Sequence, residues 1–279
     1  MEDSRGKERP PVVAGMFYPD SPDVLRNDIT RYVSHADTAL RTEAFGIIVP
    51  HAGYIYSAPV AAYAYKAVSA IAYDTAVIIG RSHHAAFHGA ALDNASAYRT
   101  PLGASAIDDE IYAFLKTRDF IVSHQAAHRE EHAIEVQIPF LQVTHPALRV
   151  VSLLLGTEET DIVKTVGGHI ADLVMTLHTK RILIVCSTDL SHYHDYKTAQ
   201  HIDDACRKAL IRGDIAELER GFSNGEFEAC GSAAVMTLLI AAARAGAKKT
   251  TVLDARSSGD TAGDKSRVVG YLSAVVGKS

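Results

Sequence analysis

Apolar residues along this chain fall into short unbroken runs separated by longer stretches with helical spacing. The unbroken runs are residues 45–50, 75–80, 149–155 and 181–187, with a closing pair at 250–255 and 268–276. A strand buried on both faces reads as such a run, rich in Val, Ile and Leu. Between them, Leu25, Ile29 and Val33 recur at helical spacing behind Asp20 or Ser21 as cap and Pro22 in the first turn. The same spacing predicts helices over 60–70 (capped at Ser57-Ala58-Pro59), 107–116, 131–141, 158–177, 198–211, 215–220 and 232–245. Residues 89–103 read as one or two short polar strands with a turn at Thr100-Pro101-Leu102-Gly103, and Ser257-Ser258-Gly259-Asp260 as a turn. Alternating strands and helices predict an α/β fold: one domain over 10–279 with a central, mainly parallel (mixed) sheet flanked by helices. Residues 1–9, rich in charge, are expected to form a flexible tail.

Composition narrows the function classes. The chain has 279 residues, 47% hydrophobic and 22% charged, which is ordinary for a folded protein with a substantial core. A formal net charge of −5 gives no reason to expect nucleic-acid binding. No apolar stretch reaches the roughly 18–20 residues of a membrane helix, and the N-terminus shows no signal segment, so a cytoplasmic location is expected. The three cysteines, Cys186, Cys206 and Cys230, are widely spaced and form neither a disulfide framework nor a CxxC pair. Histidine is the unusual count, at 14.

Three of the strand-like runs end in histidines: Gly46-Ile47-Ile48-Val49-Pro50-His51, Val77-Ile78-Ile79-Gly80-Arg81-Ser82-His83-His84, and Ile182 through Ser187-Thr188-Asp189-Leu190-Ser191-His192. Ligands gather beyond the carboxyl ends of parallel strands, so these ends point to a metal-binding or acid–base site on the sheet rim. Side chains of adjacent residues diverge in extended backbone, so His83 or His84 faces the site, and His83 is favoured. If a helical turn follows the third run, Asp189 and His192 share a face at i, i+3, and the carboxylate would orient the imidazole. The alternative is Asp189 as a simple cap. Within Glu130-Glu131-His132-Ala133-Ile134-Glu135, His132 and Glu135 form another imidazole–carboxylate pair at i, i+3 on the helix predicted over 131–141; a solvated helix face is the alternative. Cys230 precedes the apolar helix opened by Ser232, where the positive end of the dipole favours a thiolate. Two imidazoles and one thiolate suit zinc, copper or iron and leave an open position.

The ordered set Ala14-Gly15-Met16-Phe17-Tyr18-Pro19, Val49-Pro50-His51-Ala52-Gly53-Tyr54, Gly80-Arg81-Ser82-His83-His84, Tyr98-Arg99-Thr100-Pro101-Leu102-Gly103, Glu131-His132-Ala133-Ile134-Glu135, Ser187-Thr188-Asp189-Leu190-Ser191-His192 and Ala229-Cys230-Gly231 resembles the Memo family. Its prokaryotic branch is called AmmeMemoRadiSam system protein B. The resemblance covers essentially the whole chain and implies a fold like that of class III extradiol dioxygenases. By that likeness His51, His83 and Cys230 would face a metal, His192 would stand where those enzymes keep an acid–base histidine, and Asp189 and His132 would line the pocket. Extradiol dioxygenases complete their iron site with a carboxylate. A thiolate at that corner is softer and oxidisable, so ring cleavage does not carry over. The resemblance also implies association with AMMECR1-like and radical-SAM proteins.

These readings converge on a metal-dependent redox enzyme with iron or copper ahead of zinc. His192, Asp189 and His132 would be its catalytic groups, and a small-molecule or peptide ligand would occupy the rim pocket. A zinc-dependent hydrolase and a non-catalytic peptide- or protein-binding module are the alternatives.

Overall fold

The computed structural model describes residues 6–278. Its helices are α1 (Pro22–His35), α2 (Tyr54–Val68), α3 (Asp109–Lys116), α4 (Gln125–His128), α5 (Ile138–Thr144), α6 (Thr160–Thr176), α7 (Tyr196–Arg212), α8 (Ile215–Ser223), α9 (Ser232–Arg244) and α10 (Ser258–Thr261). Its strands are β1 (Gly46–Val49), β2 (Thr75–Arg81), β3 (Ala90–Leu92), β4 (Ala97–Thr100), β5 (Gly103–Ala106), β6 (Ile121–Ser123), β7 (Arg149–Leu155), β8 (Ile182–Ser187), β9 (His192–His194), β10 (Lys249–Ser257) and β11 (Val268–Gly277). A nine-stranded mixed sheet runs β10-β11-β1-β8-β2-β7-β3-β6, with β9 joined to β11, and β4 and β5 form a separate hairpin.

Strands β1, β8, β2 and β7 lie side by side and parallel. Every residue of β1 and β8 is buried, which explains why they read as unbroken apolar runs rather than alternating ones. Because β1, β8 and β2 are adjacent and parallel, their carboxyl ends open on one edge, and those ends carry the three histidine motifs. Helix α9 packs against β1, β2 and β8, with α6 against it; α2 packs on β1 and β11, with α1 and α5 against it. Among the described residues no helix is long and apolar enough to cross a membrane.

Local departures from the sequence expectations have identifiable causes. Residues 6–9 are not a free tail: Gly6 N–H donates to Asn94 O, Arg9 bridges to Tyr98, and Arg9 is buried. Its guanidinium donates to the carbonyls of His128 and Glu131 and pairs with Glu135. Residues 1–5 lie outside the described residues. Helix α2 starts at Tyr54, behind Gly53, so Pro59 lies inside it rather than in its first turn. Residues 131–134 are not helical; a 3₁₀ turn (Glu135–Gln137) leads into α5. The segment after β8 is not helical either. Leu190 N–H donates to Gly270 O, Gly270 N–H donates to Ser191 O, and His192 opens β9 on β11. Sheet pairing there overrides a spacing that would suit a helix.

Asp108 ties three elements together. Its buried carboxylate accepts from the N–H groups of Glu110 and Ile111 as the cap of α3, from Thr75 on β2, and from Lys180 just before β8. Burial alone would raise its pKa, but the Lys180 and Thr75 hydrogen bonds outweigh this and hold it below the ordinary carboxylate value. Asp108→Ala is therefore expected to lower stability by about 2–3 kcal/mol at neutral pH, from the lost cap and the loss of one of the two carboxylates on Lys180, which keeps only Glu110 at 2.8 Å. A depressed carboxylate stabilises above its unfolded pKa, near 3.9, and loses that contribution as pH falls through the folded value. Denaturant melts should thus show wild type and variant converging below about pH 4; a gap unchanged at acid pH would refute the assignment.

Candidate metal centre

His51 follows Pro50 at the end of β1 and is 2% exposed. Its backbone N–H donates to Asp189 Oδ1 at 2.8 Å, and its Nδ1 lies 3.0 Å from Ser187 Oγ, the last residue of β8. His83, two residues beyond β2, is held by one carboxylate: Glu131 accepts its backbone N–H at 2.6 Å and contacts its Nδ1 at 2.9 Å. The same carboxylate accepts Ala133 N–H at 2.9 Å and lies 3.4 Å from His132 Nδ1. Glu131 is 1% exposed, so this non-helical turn exists to deliver a buried anion to the histidines. His84 is exposed and is not among the three convergent imidazoles, in keeping with the divergence of neighbouring side chains.

The three imidazoles converge. One nitrogen from each of His51, His83 and His132 lies within 4.8 Å of the others. The His51 ring is edge-on to both partners, with centroids 5.2 and 5.3 Å away. Cys230 Sγ stands beside the triad, 3.2 Å from His51 Nε2. It accepts the backbone N–H of Asp189 at 3.2 Å. Cys230 immediately precedes Gly231, the N-cap of α9, which is where the sequence placed it. Gly231 has no room for a side chain: a Cβ there would stand 2.8 Å from Ser187 O and from Thr188 Cβ. That close approach presses the cysteine against the end of β8.

The charges are arranged as one unit. Burial pushes the Cys230 thiol up, but His51, hydrogen bonds from His51 and His83, and the Asp189 N–H outweigh it and bring the thiol well below its usual range. Burial works against the His51 cation too; Cys230 and Asp189 overcome it and lift His51 to about 10. His83, against the same burial, is lifted to about 9 by Cys230 and Glu131. Glu131 is driven down to about 2, against its own burial, by His83. His132 goes the other way, to about 3, because burial and the neighbouring His51 both disfavour its cation. The centre is therefore a thiolate and a carboxylate balanced by imidazoles, with His132 neutral and its lone pair available.

The candidate residues from sequence thus fall in one place but not all in their expected roles. His132 groups with His51 and His83 as a nitrogen donor. Asp189 is buried at 3% exposure and serves the His51 and Cys230 backbone; it has no hydrogen bond to His192, contrary to the helical-turn expectation, because the chain between them is extended. Glu135 does not share a face with His132. It turns the other way, accepting from Val12 and Val13 N–H and from Tyr18 OH. His192 lines the same cavity as the triad, together with Phe17, Tyr56, Tyr193, Arg267 and Tyr271. The cavity holds about 750 Å³, enough for a small molecule. Tyr193 sits at its mouth, 63% exposed, with φ of 62°, a strained conformation for a residue with a side chain. Glu131 and Ser187 are the supporting residues not singled out from sequence, although Glu131 adjoins His132 in a motif already marked.

Comparison with known proteins gives the family of the chain. The chain is 35% identical to a MEMO1 family protein of Methanococcoides burtonii, over 96% of this chain and 99% of that protein. It is 36% identical to one of Sulfolobus acidocaldarius, over 95% and 98%. A third, from Nitrosopumilus maritimus, is 32% identical over 94% and 97%. The family described as Memo-like protein matches residues 9–275, a span that contains every residue of the centre. The chain belongs to the Memo-like family.

Proposed function

We propose that this Memo-like chain holds a transition metal, iron or copper ahead of zinc, and acts as a redox enzyme on a small substrate admitted by the rim cavity. The observation that supports it is the convergence of three imidazole nitrogens within 4.8 Å, with Cys230 Sγ 3.2 Å from one of them. Two of the imidazoles already have their Nδ1 engaged, by Ser187 and Glu131, which leaves Nε2 of each for an ion. A donor set of imidazoles with one thiolate fits copper, iron or zinc; the thiolate favours the softer, redox-active states.

Bound there, iron or copper would supply Lewis acidity and electron transfer. The protein's own groups do the rest. Glu131 balances charge and fixes the His83 ring. His192 makes no side-chain hydrogen bond among the described residues and faces the cavity, so it is the group placed to take or give a proton at a bound ligand. Phe17 packs on His132 with centroids 4.9 Å apart and shields that side of the cluster from water.

Anaerobic reconstitution followed by elemental analysis tests the reading. One equivalent of iron or copper per chain is expected, and occupancy should slow alkylation of Cys230 by iodoacetamide at least about tenfold, because a ligated thiolate is a poorer nucleophile. Zinc alone, with oxygen-independent turnover, would replace the redox assignment with a hydrolytic one. No metal bound under any loading would overturn both.

A further inference from the structure

Behind His51, on the side away from the cavity, lies a chain of buried polar side chains. Gln137, Ser187 and Tyr65 are each 1% exposed or less. Tyr65 comes from α2, Ser187 from the end of β8, and Gln137 from the 3₁₀ turn that follows His132. Buried polar atoms are costly unless each finds a partner, and here each does. Tyr65 OH donates to Gln137 Oε1 at 2.8 Å. Gln137 Nε2 donates to Pro50 O at 2.9 Å and to Ser187 Oγ at 3.0 Å. Ser187 Oγ donates to Ala133 O at 2.6 Å.

The direction of every bond follows from what each group can do. The carbonyls of Pro50 and Ala133 only accept. Pro50 therefore fixes which end of the Gln137 amide is NH₂, and Ala133 takes the single proton of Ser187. With that proton committed, Ser187 Oγ can only accept from His51, 3.0 Å away. His51 Nδ1 must then carry a hydrogen. Nε2, which faces Cys230, is left as the nitrogen for an ion.

We infer that Gln137, acting through Ser187, is a positioning residue that locks His51 as the Nδ1–H form and presents Nε2 to the metal; this rests on the metal-centre reading. Without the Gln137 amide, the Ser187 hydroxyl loses the donor that keeps its proton on Ala133. It can then turn that proton toward Nδ1, which favours the opposite tautomer.

Zinc, a diamagnetic ion these donors accept, is the probe. Long-range ¹H–¹⁵N spectra of zinc-loaded, ¹⁵N-histidine-labelled wild type are expected to show His51 with hydrogen on Nδ1 and zinc on Nε2. Ser187→Ala and Gln137→Leu should weaken zinc binding by roughly 10–100-fold, the usual loss for a residue that supports a ligand. Both should also lose the slowly exchanging Nδ1–H resonance. Tyr65→Phe keeps both donors of Gln137 and should preserve that resonance. If wild type takes up neither zinc nor iron nor copper, the metal centre and this inference fail together; if it takes up iron or copper but no zinc, the inference alone is overturned. If wild type binds zinc through His51 Nδ1, or Ser187→Ala keeps both its affinity and its resonance, the inference alone is overturned. The wild-type spectrum decides even if a core variant does not fold.

Discussion

Replacing His51 with alanine will reduce metal affinity by at least about 100-fold, more than the loss of a supporting residue would cause. The size of the effect follows from position. His51 is the most buried of the three clustered imidazoles, touches both others edge-on, and is the one in contact with Cys230. Its removal takes away a donor and also the partner that holds the thiol in its reactive state. His84→Ala is the control. That residue is exposed and adjoins His83 in sequence, yet should leave affinity within about twofold, since surface changes away from a site are usually near neutral. Competition titration with a chromogenic chelator reads both. Equal losses in the two variants would mean that the histidine-rich rim binds metal diffusely, with no defined centre.

Glu135→Ala will destabilise the fold by about 3–5 kcal/mol, the cost of breaking a buried, hydrogen-bonded ion pair by removing one partner. The carboxylate is 1% exposed and accepts from Val12 N–H, Val13 N–H, Tyr18 OH and the Arg9 guanidinium. Those four donors belong to one segment near the N-terminus. That segment also carries Phe17, whose carbonyl accepts Tyr54 N–H at 2.7 Å at the start of α2, so Glu135 holds one wall of the cavity at a distance. Urea denaturation gives the energy, and amide exchange at Val12 and Val13 localises it. A loss below about 1 kcal/mol, ordinary for a surface site, would show that the segment is held by its apolar contacts instead.

Much of the centre was legible before the structure because of one physical coincidence. Strands buried on both faces are conspicuous in sequence, and the residues just past their carboxyl ends are where sites form. That pattern points to His51, His83 and the Asp189–His192 stretch, and β1, β8 and β2 do lie side by side. What misled was helical spacing where backbone partners lay elsewhere in the chain. Glu131, His132 and Glu135 fit a helix by periodicity, yet Glu131 spends its oxygens on His83 and Ala133 N–H and stops one forming. Asp189 and His192 fit an i, i+3 pair, yet pairing with β11 extends the chain between them. Pro59 resembled a helix start, and only the neighbourhood of Gly53 shows that α2 begins before it. Arg9 was hidden for a different reason. It sits in a charged stretch, and nothing local shows that Glu135, 126 positions away, is buried and waiting for it.

Two of the three histidine-bearing strand ends therefore meet at one place, joined by His132 from the turn before Glu135 and by Cys230 from just before α9. X-ray absorption at the metal edge of anaerobically loaded protein tests that claim most directly. The account predicts one sulfur at about 2.3 Å in a shell otherwise of imidazole nitrogens near 2.0 Å, distances typical of such ligands, with the sulfur absent in Cys230→Ser. A shell of light atoms without imidazole scattering, or a sulfur that persists in Cys230→Ser, would contradict it.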